Sequence, residues 1–333
     1  MALPMRSTDF RSVVEPILNE TFDGIYDQRA DEWKMLFREF RGTPRNYHEE
    51  PVLFGMGAAP ALPDGTPVTY QSGGVLFIQR YLYAVFGLAF ALTKVLVEDG
   101  DHIKIGTIYA EHLAQSLVET KETLCANVIN NGFNASFPGG DGVALIATNH
   151  PLAPPAGSFS NQLITAAALS QTSLEQMLIQ IRNAVDNNGK RIRLTPLQLV
   201  TSPSNVMQGE VLLKSVLRAG TANNDVNPIK SLGLLPKGQA NIARLTSQTA
   251  WFVQTDVRQG LKLAMRRTLE KSMEGDFETD SMRYKATERF IPGFTDPRCL
   301  WGTPGLAVAG ASLLGGVLAA VAHFGHMAVS FMC

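Results

Sequence analysis

Cysteine is scarce in this chain of 333 residues: Cys125, Cys299 and Cys333 lie far apart, with no CxxC pair. Three thiols without metal-ligand spacing exclude a disulfide framework and fit a reducing cytosol. An excess of either charge is also missing, with 29 basic against 30 acidic residues. That excludes a protein whose main task is gripping nucleic-acid phosphates, which needs a basic surface. The opening MALPMRSTDFRSVVEP carries charges where a secretion signal would have an apolar core, so none is expected. The motifs GxSxG, HExxH and the P-loop are absent.

Apolar material is not lacking. At 45% hydrophobic residues the chain can fill a real core, in two domains or one elaborate one. Charge disappears again at the end, where no Asp, Glu, Lys or Arg follows Arg298. The stretch 306–332, LAVAGASLLGGVLAAVAHFGHMAVSFM, is by length a candidate to span a membrane.

Along the chain, residues 8–42 suggest one or two amphipathic helices with too little core of their own. Phe10, Val13, Val14, Ile17 and Leu18 make one apolar stripe, and Trp33, Leu36, Phe37 and Phe40 another. Such a segment is stabilised by lying on something else, which makes it an arm. The Gly/Pro-rich stretch 55–74 and the β-branched, aromatic run after it predict an extended hairpin leading into a buried strand. From Thr107 to Asn130 the pattern turns helical, with Tyr109, Leu113, Leu117, Leu124 and Val128 on one face. Glu111, Gln115, Glu119 and Glu122 fall mostly opposite, and Gly132 is a candidate cap.

A second helix is predicted over 172–190, with Thr172 and Glu175 at capping-box spacing. Segments 194–202, 250–256 and 278–290 predict strands, and 204–217 a helix. Helices and strands alternate without a regular βαβ repeat, so α+β is the expected class.

Candidate chemistry rests on isolated residues. Gly55 and Gly57 match half of a dinucleotide fingerprint, but Pro60 and Pro63 follow where a helix should begin. His150, in LIATNHPLAPPAGSFSNQ (145–162), lacks a nucleophile and partner acid in any known constellation and fits a structural turn. Glu111 beside His112, and the stretch Tyr47 to Glu50, lack a full ligand set, as do His323 and His326. Lys262, Arg266, Arg267 and Lys271 alternate with Glu270 and Glu274 and suggest a solvated mixed-charge segment. No catalytic, cofactor or metal site is expected.

The order of the parts is more informative than any one residue. LVEDGD (96–101) leads into the long helix, and ALIATNHPLAPPAGSFSNQ (144–162) follows it. SLEQMLIQIRNAVDNNGKRIRLTPLQLVTSPSN (173–205), NDVNPIKSLGL (224–234) and DFETDSMRYKATERFIPGFTDPRCLWGTPG (276–305) complete the set. This ordered set resembles the major capsid protein of tailed bacteriophages, with the Hong Kong 97 phage-type shell fold. It is most similar to the Mu-type major head subunit family.

The resemblance implies five parts. They are an N-terminal arm (1–52), an extended hairpin loop (53–92), a peripheral domain around a spine helix (93–140 with 261–304), an axial domain (141–260) and an apolar extension (305–333). It also implies a non-enzymatic subunit of an icosahedral shell around double-stranded DNA, made of hexamers and pentamers of this chain. Phe10, Ile17, Trp33, Phe37, Pro67 and Tyr70 would then touch neighbouring subunits. Scaffold, portal and decoration proteins are further possible partners, and packaged DNA would be held weakly, without sequence specificity. Assembly would take place in the bacterial cytoplasm, with no large scaffolding domain fused to the chain.

Some relatives crosslink their shells through a hairpin lysine. Here no lysine occurs between Lys34 and Lys94, so that crosslink is expected to be absent. Three readings of the tail stay open: a membrane helix, a shell extension, or a segment without function. An encapsulin-type compartment is the alternative shell, and a membrane-anchored binding protein the alternative outside that class.

Overall fold

The computed structural model describes the chain except residues 1–6, 29–30, 94, 97–101, 219–224, 277–280 and 306–333. The chain opens with α1 (Ser7–Gln28), a 3-10 turn at Glu32–Met35 and the short β1 (Arg38–Arg41). Then come β2 (Tyr47–Phe54), β3 (Gly74–Leu82), β4 (Ala84–Leu92) and the 29-residue α2 (His102–Asn130). A lobe follows, with β5 (His150–Pro151), β6 (Ser158–Phe159), α3 (Gln171–Arg182), β7 (Pro196–Thr201), α4 (Val206–Lys214), α5 (Pro228–Ser231), β8 (Gln239–Asn241) and β9 (Trp251–Thr255). Two long strands, β10 (Leu261–Asp276) and β11 (Ser281–Phe294), and the short β12 (Leu300–Thr303) close the described chain.

Two four-stranded sheets organise these parts. The first runs β1-β10-β11-β4, with β1 parallel to β10 and the other pairs antiparallel. The second runs β12-β9-β7-β8 inside the lobe. β12 therefore returns the chain to the lobe, whereas 261–304 was expected to belong wholly with the spine helix. β2 and β3 form a separate antiparallel ribbon.

Three hydrophobic clusters hold the parts together. Val14, Leu18 and Phe22 of α1 pack on Ala110, Leu113, Ala114 and Leu117 of α2, over Met273 and Tyr284 of the first sheet. Leu18 and Phe22 are fully buried, and each contributes about 1.5–3 kcal/mol relative to exposure. A second cluster joins the C-terminal half of α2 to β10, β11 and the near face of the lobe. The third lies within the lobe, around Leu174, Met177 and Ile181 of α3 and Trp251 and Trp301.

Several expectations need correction. Residues 38–41 are a strand, because they complete the edge of the first sheet beside β10. The segment 262–274 lies within the strand β10: the strand's first five residues, Lys262 among them, are buried, while Glu270 and Glu274 are exposed as expected. β4 is half exposed rather than buried, since it lies at the sheet's edge. The cap of α3 is Ser170, whose hydroxyl accepts from Ser173 N while the Ser173 hydroxyl accepts from Ser170 N. α3 stops at Arg182, because 184–192 folds back on itself through the bridge Val185–Arg191. Glu122, expected on the polar face of α2, is buried. Gly132 follows α2 without a left-handed conformation, so its cap role falls away.

Candidate assembly surfaces

The β2–β3 ribbon carries the loop 55–73, whose lone charged residue is Asp64. The loop presents Met56, Leu62, Val68 and Tyr70 to solvent, with Tyr70 95% exposed. Pro67 is exposed as well. Apolar side chains displayed on an extended, nearly uncharged loop make a surface that gains by being covered.

The root of the ribbon is held by buried polar groups. Glu50 Oε2 accepts from Lys262 Nζ of β10 and, at 2.6 Å, from Thr295 Oγ1. Tyr81 OH lies 2.5 Å from the same Thr295 hydroxyl, and His48 Nε2 lies 3.2 Å from Glu50 Oε1. Burial alone would raise the Glu50 carboxyl, but the bonds from Lys262 and Thr295 outweigh it and hold the group below its ordinary value. Burial pushes the Tyr81 hydroxyl up. Tyr81 also needs Gly293 beneath it, because a Cβ there would come within 2.6 Å of its ring. Gly140 has the same part under β3, where a Cβ would meet Ile78 O at 2.9 Å.

The lobe is joined to the rest by the loop after α2. His150 is buried, with Nδ1 2.6 Å from Asp141 Oδ2 and Nε2 3.1 Å from Asn161 Oδ1. Asn161 Nδ2 donates to Leu145 O, Pro297 O and Leu300 O, while Asn161 Oδ1 accepts from Ala147 N. Both imidazole nitrogens are engaged, so the group works as a strut between chain segments more than 130 residues apart.

One arginine joins the arm, α2 and the lobe. Arg244 of the lobe binds Glu119 of α2, with Glu32 at 3.5 Å and Glu122 at 3.9 Å. Glu122 also accepts from Trp33 N. Burial raises the Glu122 carboxyl to about 7, against the opposing pull of Arg244.

The expected contact residues divide. Trp33 and Phe37 are each 4% exposed and sit in the chain's own core, which leaves them no free face for a neighbour. The arm lacked a core in sequence because its partners lie near residues 126, 145 and 263. Ile17 is half-buried on α1, Pro67 and Tyr70 are exposed, and the side chain of Phe10 lies outside the described residues. Sequence reasoning weighed Glu50 and Lys262 in other roles and missed their pairing, and it missed Thr295 and Asn161; only the proximity of Asn161 to His150 within one loop offered a signal.

Residues 84–302 match the family of phage capsid proteins. This chain belongs to the phage capsid protein family. No curated protein sequence matches it. Among solved structures, the capsid protein is similar to the mature capsid of bacteriophage PhiM1 at 12% identity, over 80% of this chain and 84% of that one, with a TM-score of 0.50. A virus-like particle from Pyrococcus furiosus is 10% identical over 86% and 98% of the two chains, with a TM-score of 0.49. The SrpI encapsulin complex of Synechococcus elongatus is 12% identical over 83% and 88%, with a TM-score of 0.47. The PhiM1 likeness shows the shared fold, and the fold is the α+β Hong Kong 97 phage-type shell fold. As a capsid protein, the chain acts through surfaces that join copies into a virion shell.

Proposed function

We propose that this capsid protein is the major head subunit of a tailed phage, with hexamers and pentamers closing an icosahedral shell around double-stranded DNA. The observation that carries the reading is the loop 55–73, which holds apolar side chains outward, where none of the described residues covers them. In a closed ring, each such loop lies across the next copy, so the contact is heterologous and satisfied by symmetry. Pro67 and Tyr70 are the residues to bet on there, with Ile17 a contact from α1.

Within this reading, α2 with β10 and β11 paves the shell as a peripheral domain (93–140 with 261–304, except that β12 pairs in the lobe's sheet), and the lobe (141–260) points toward the ring axes. The arm (1–52) and hairpin (53–92) link copies. The motifs at 144–162 and 276–305 support a Mu-type head subunit. Near-zero net charge suits weak, sequence-independent contact with packaged DNA that must later leave. Assembly in the host cytoplasm, with scaffold, portal and decoration proteins, follows from the same reading. The apolar tail is read as a shell extension; it lies outside the described residues.

Negative-stain electron microscopy tests the proposal on the full chain, alone and with its neighbouring genes, beside a variant with 57–71 replaced by a short Gly/Ser linker. Closed shells from the full chain and free subunits from the variant are expected. Membrane-bound monomers under every condition would sink it.

A further inference from the structure

The root of the hairpin has a second anchor, on the lobe. The turn 184–192 brings Asp186, Asn187, Asn188, Gly189 and Lys190 against the end of β2. Asp186 Oδ1 accepts from the backbone of Asn188 and Lys190, each at 2.8 Å, and Gly189 takes φ 78°, which glycine adopts freely. Thus braced, the turn aims three side chains at the last residues of β2 and the first of the loop that follows it. Asn187 Nδ2 donates to Leu53 O at 2.7 Å, Asn188 Nδ2 to Gly55 O at 2.8 Å, and Lys190 Nζ to Met56 O at 2.9 Å. Every acceptor is a main-chain carbonyl, so the grip sets the direction of the hairpin whatever side chains it carries.

Asn187 differs from its neighbours in what stands behind it. Its Oδ1 accepts from Arg298 Nη1 at 2.9 Å, which orients the amide and turns Nδ2 toward Leu53. Arg298 is itself buried and fixed: Nε donates to Val185 O at 2.8 Å, and the guanidinium lies 4.1 Å from the centre of the Phe159 ring. Phe159 stacks in turn on His150. A rigid line therefore runs from the buried strut at His150, through Phe159 and Arg298, to the amide that holds the hairpin.

We infer that Asn187 is a positioning residue for the extended hairpin: with Asn188 and Lys190 it latches the hairpin root to the lobe, and Arg298 sets the angle of the latch. The three hydrogen bonds of this latch are exposed, so it can open without disturbing either core. The Glu50 anchor on the other side keeps the root attached, and the hairpin then swings instead of detaching. The consequence for assembly rests on the reading of the loop as a contact with the next copy; the latch does not.

Hydrogen exchange followed by mass spectrometry on the full chain tests the latch. N187D keeps an oxygen for Arg298 but sets a carboxylate oxygen against the Leu53 carbonyl in place of the donor; the pair N188A/K190A leaves Arg298 untouched. In both, amides of 47–57 and 74–82 should exchange roughly tenfold faster, with 251–255, 300–303 and Tm unchanged. Wild-type exchange across the hairpin in both variants would overturn the latch. So would acceleration spread equally into 251–255, which marks a general structural loss. Faster hairpin exchange with normal shells under the microscope upholds the latch and counts against the loop's role between copies.

Discussion

Glu50 and Lys262, 212 positions apart, form an ion pair that ties the root of the hairpin to the first strand of the long antiparallel pair. Both side chains are nearly buried, so each is costly without the other. K262M should destabilise the subunit by about 3 kcal/mol, because it leaves an uncompensated carboxylate. Urea unfolding measures this, and E50L/K262M should recover part of the loss. If the double variant is as unstable as the sum of both singles, the pair is not coupled.

Acid should act on this same pair in one direction. The folded-state value of Glu50 is lowered, so its contribution is present above the ordinary carboxylate range and disappears as pH falls through the lowered value. E50Q should therefore flatten the acid limb of a stability-against-pH curve below about pH 4.

Glu122 works with the opposite sign. Its folded-state value, about 7, lies above the ordinary 4.5, so the folded chain binds the proton more tightly than the unfolded chain does. Stability should fall as pH rises from about 4.5 to 7, by on the order of 3 kcal/mol, and stay reduced above that. E122Q keeps an acceptor for Trp33 N and removes the charge, so it should be more stable than the wild type at pH 8. Equal urea midpoints for the two proteins at pH 5.5 and at pH 8 would refute this.

Asn161 Nδ2 donates to three carbonyls from two distant segments, one of its two hydrogens being shared. N161A leaves those buried acceptors short of a donor and should cost about 3–5 kcal/mol. N161D, which turns a carboxylate toward carbonyls, should be worse than alanine. A thermal shift of less than a few degrees in N161A would contradict the strut.

Shells of this protein should run as single chains on a denaturing gel after full maturation. With no lysine from 35 to 93, the hairpin has no amine to offer for an isopeptide bond. Ladders of covalent oligomers would show that another lysine serves.

Local patterning made much of the fold legible. The helices at 102–130 and 171–182 and the strands at 196–201, 251–255 and 281–294 follow from apolar spacing and turn residues. β10 stayed hidden because its charged residues read as solvated: Arg266, Arg267 and Lys271 suggested a surface run, yet Arg266 bonds the carbonyls of Pro44 and Arg45 in the connection before β2. Two register shifts, between Met265 and Arg267 and between Arg267 and Glu270, also break its alternation. Trp33 and Phe37 misled for a related reason, since an apolar stripe states that burial is needed without naming the partner.

The sequence by itself determined the class, the order of parts, the near-neutral charge and the lysine-free hairpin, because these depend on composition and on neighbours along the chain. Only the tertiary structure decided which residues hold the hairpin. Glu50 with Lys262, and Asn187 with Arg298, meet across more than a hundred residues, and such pairing depends on how elements pack rather than on any local period.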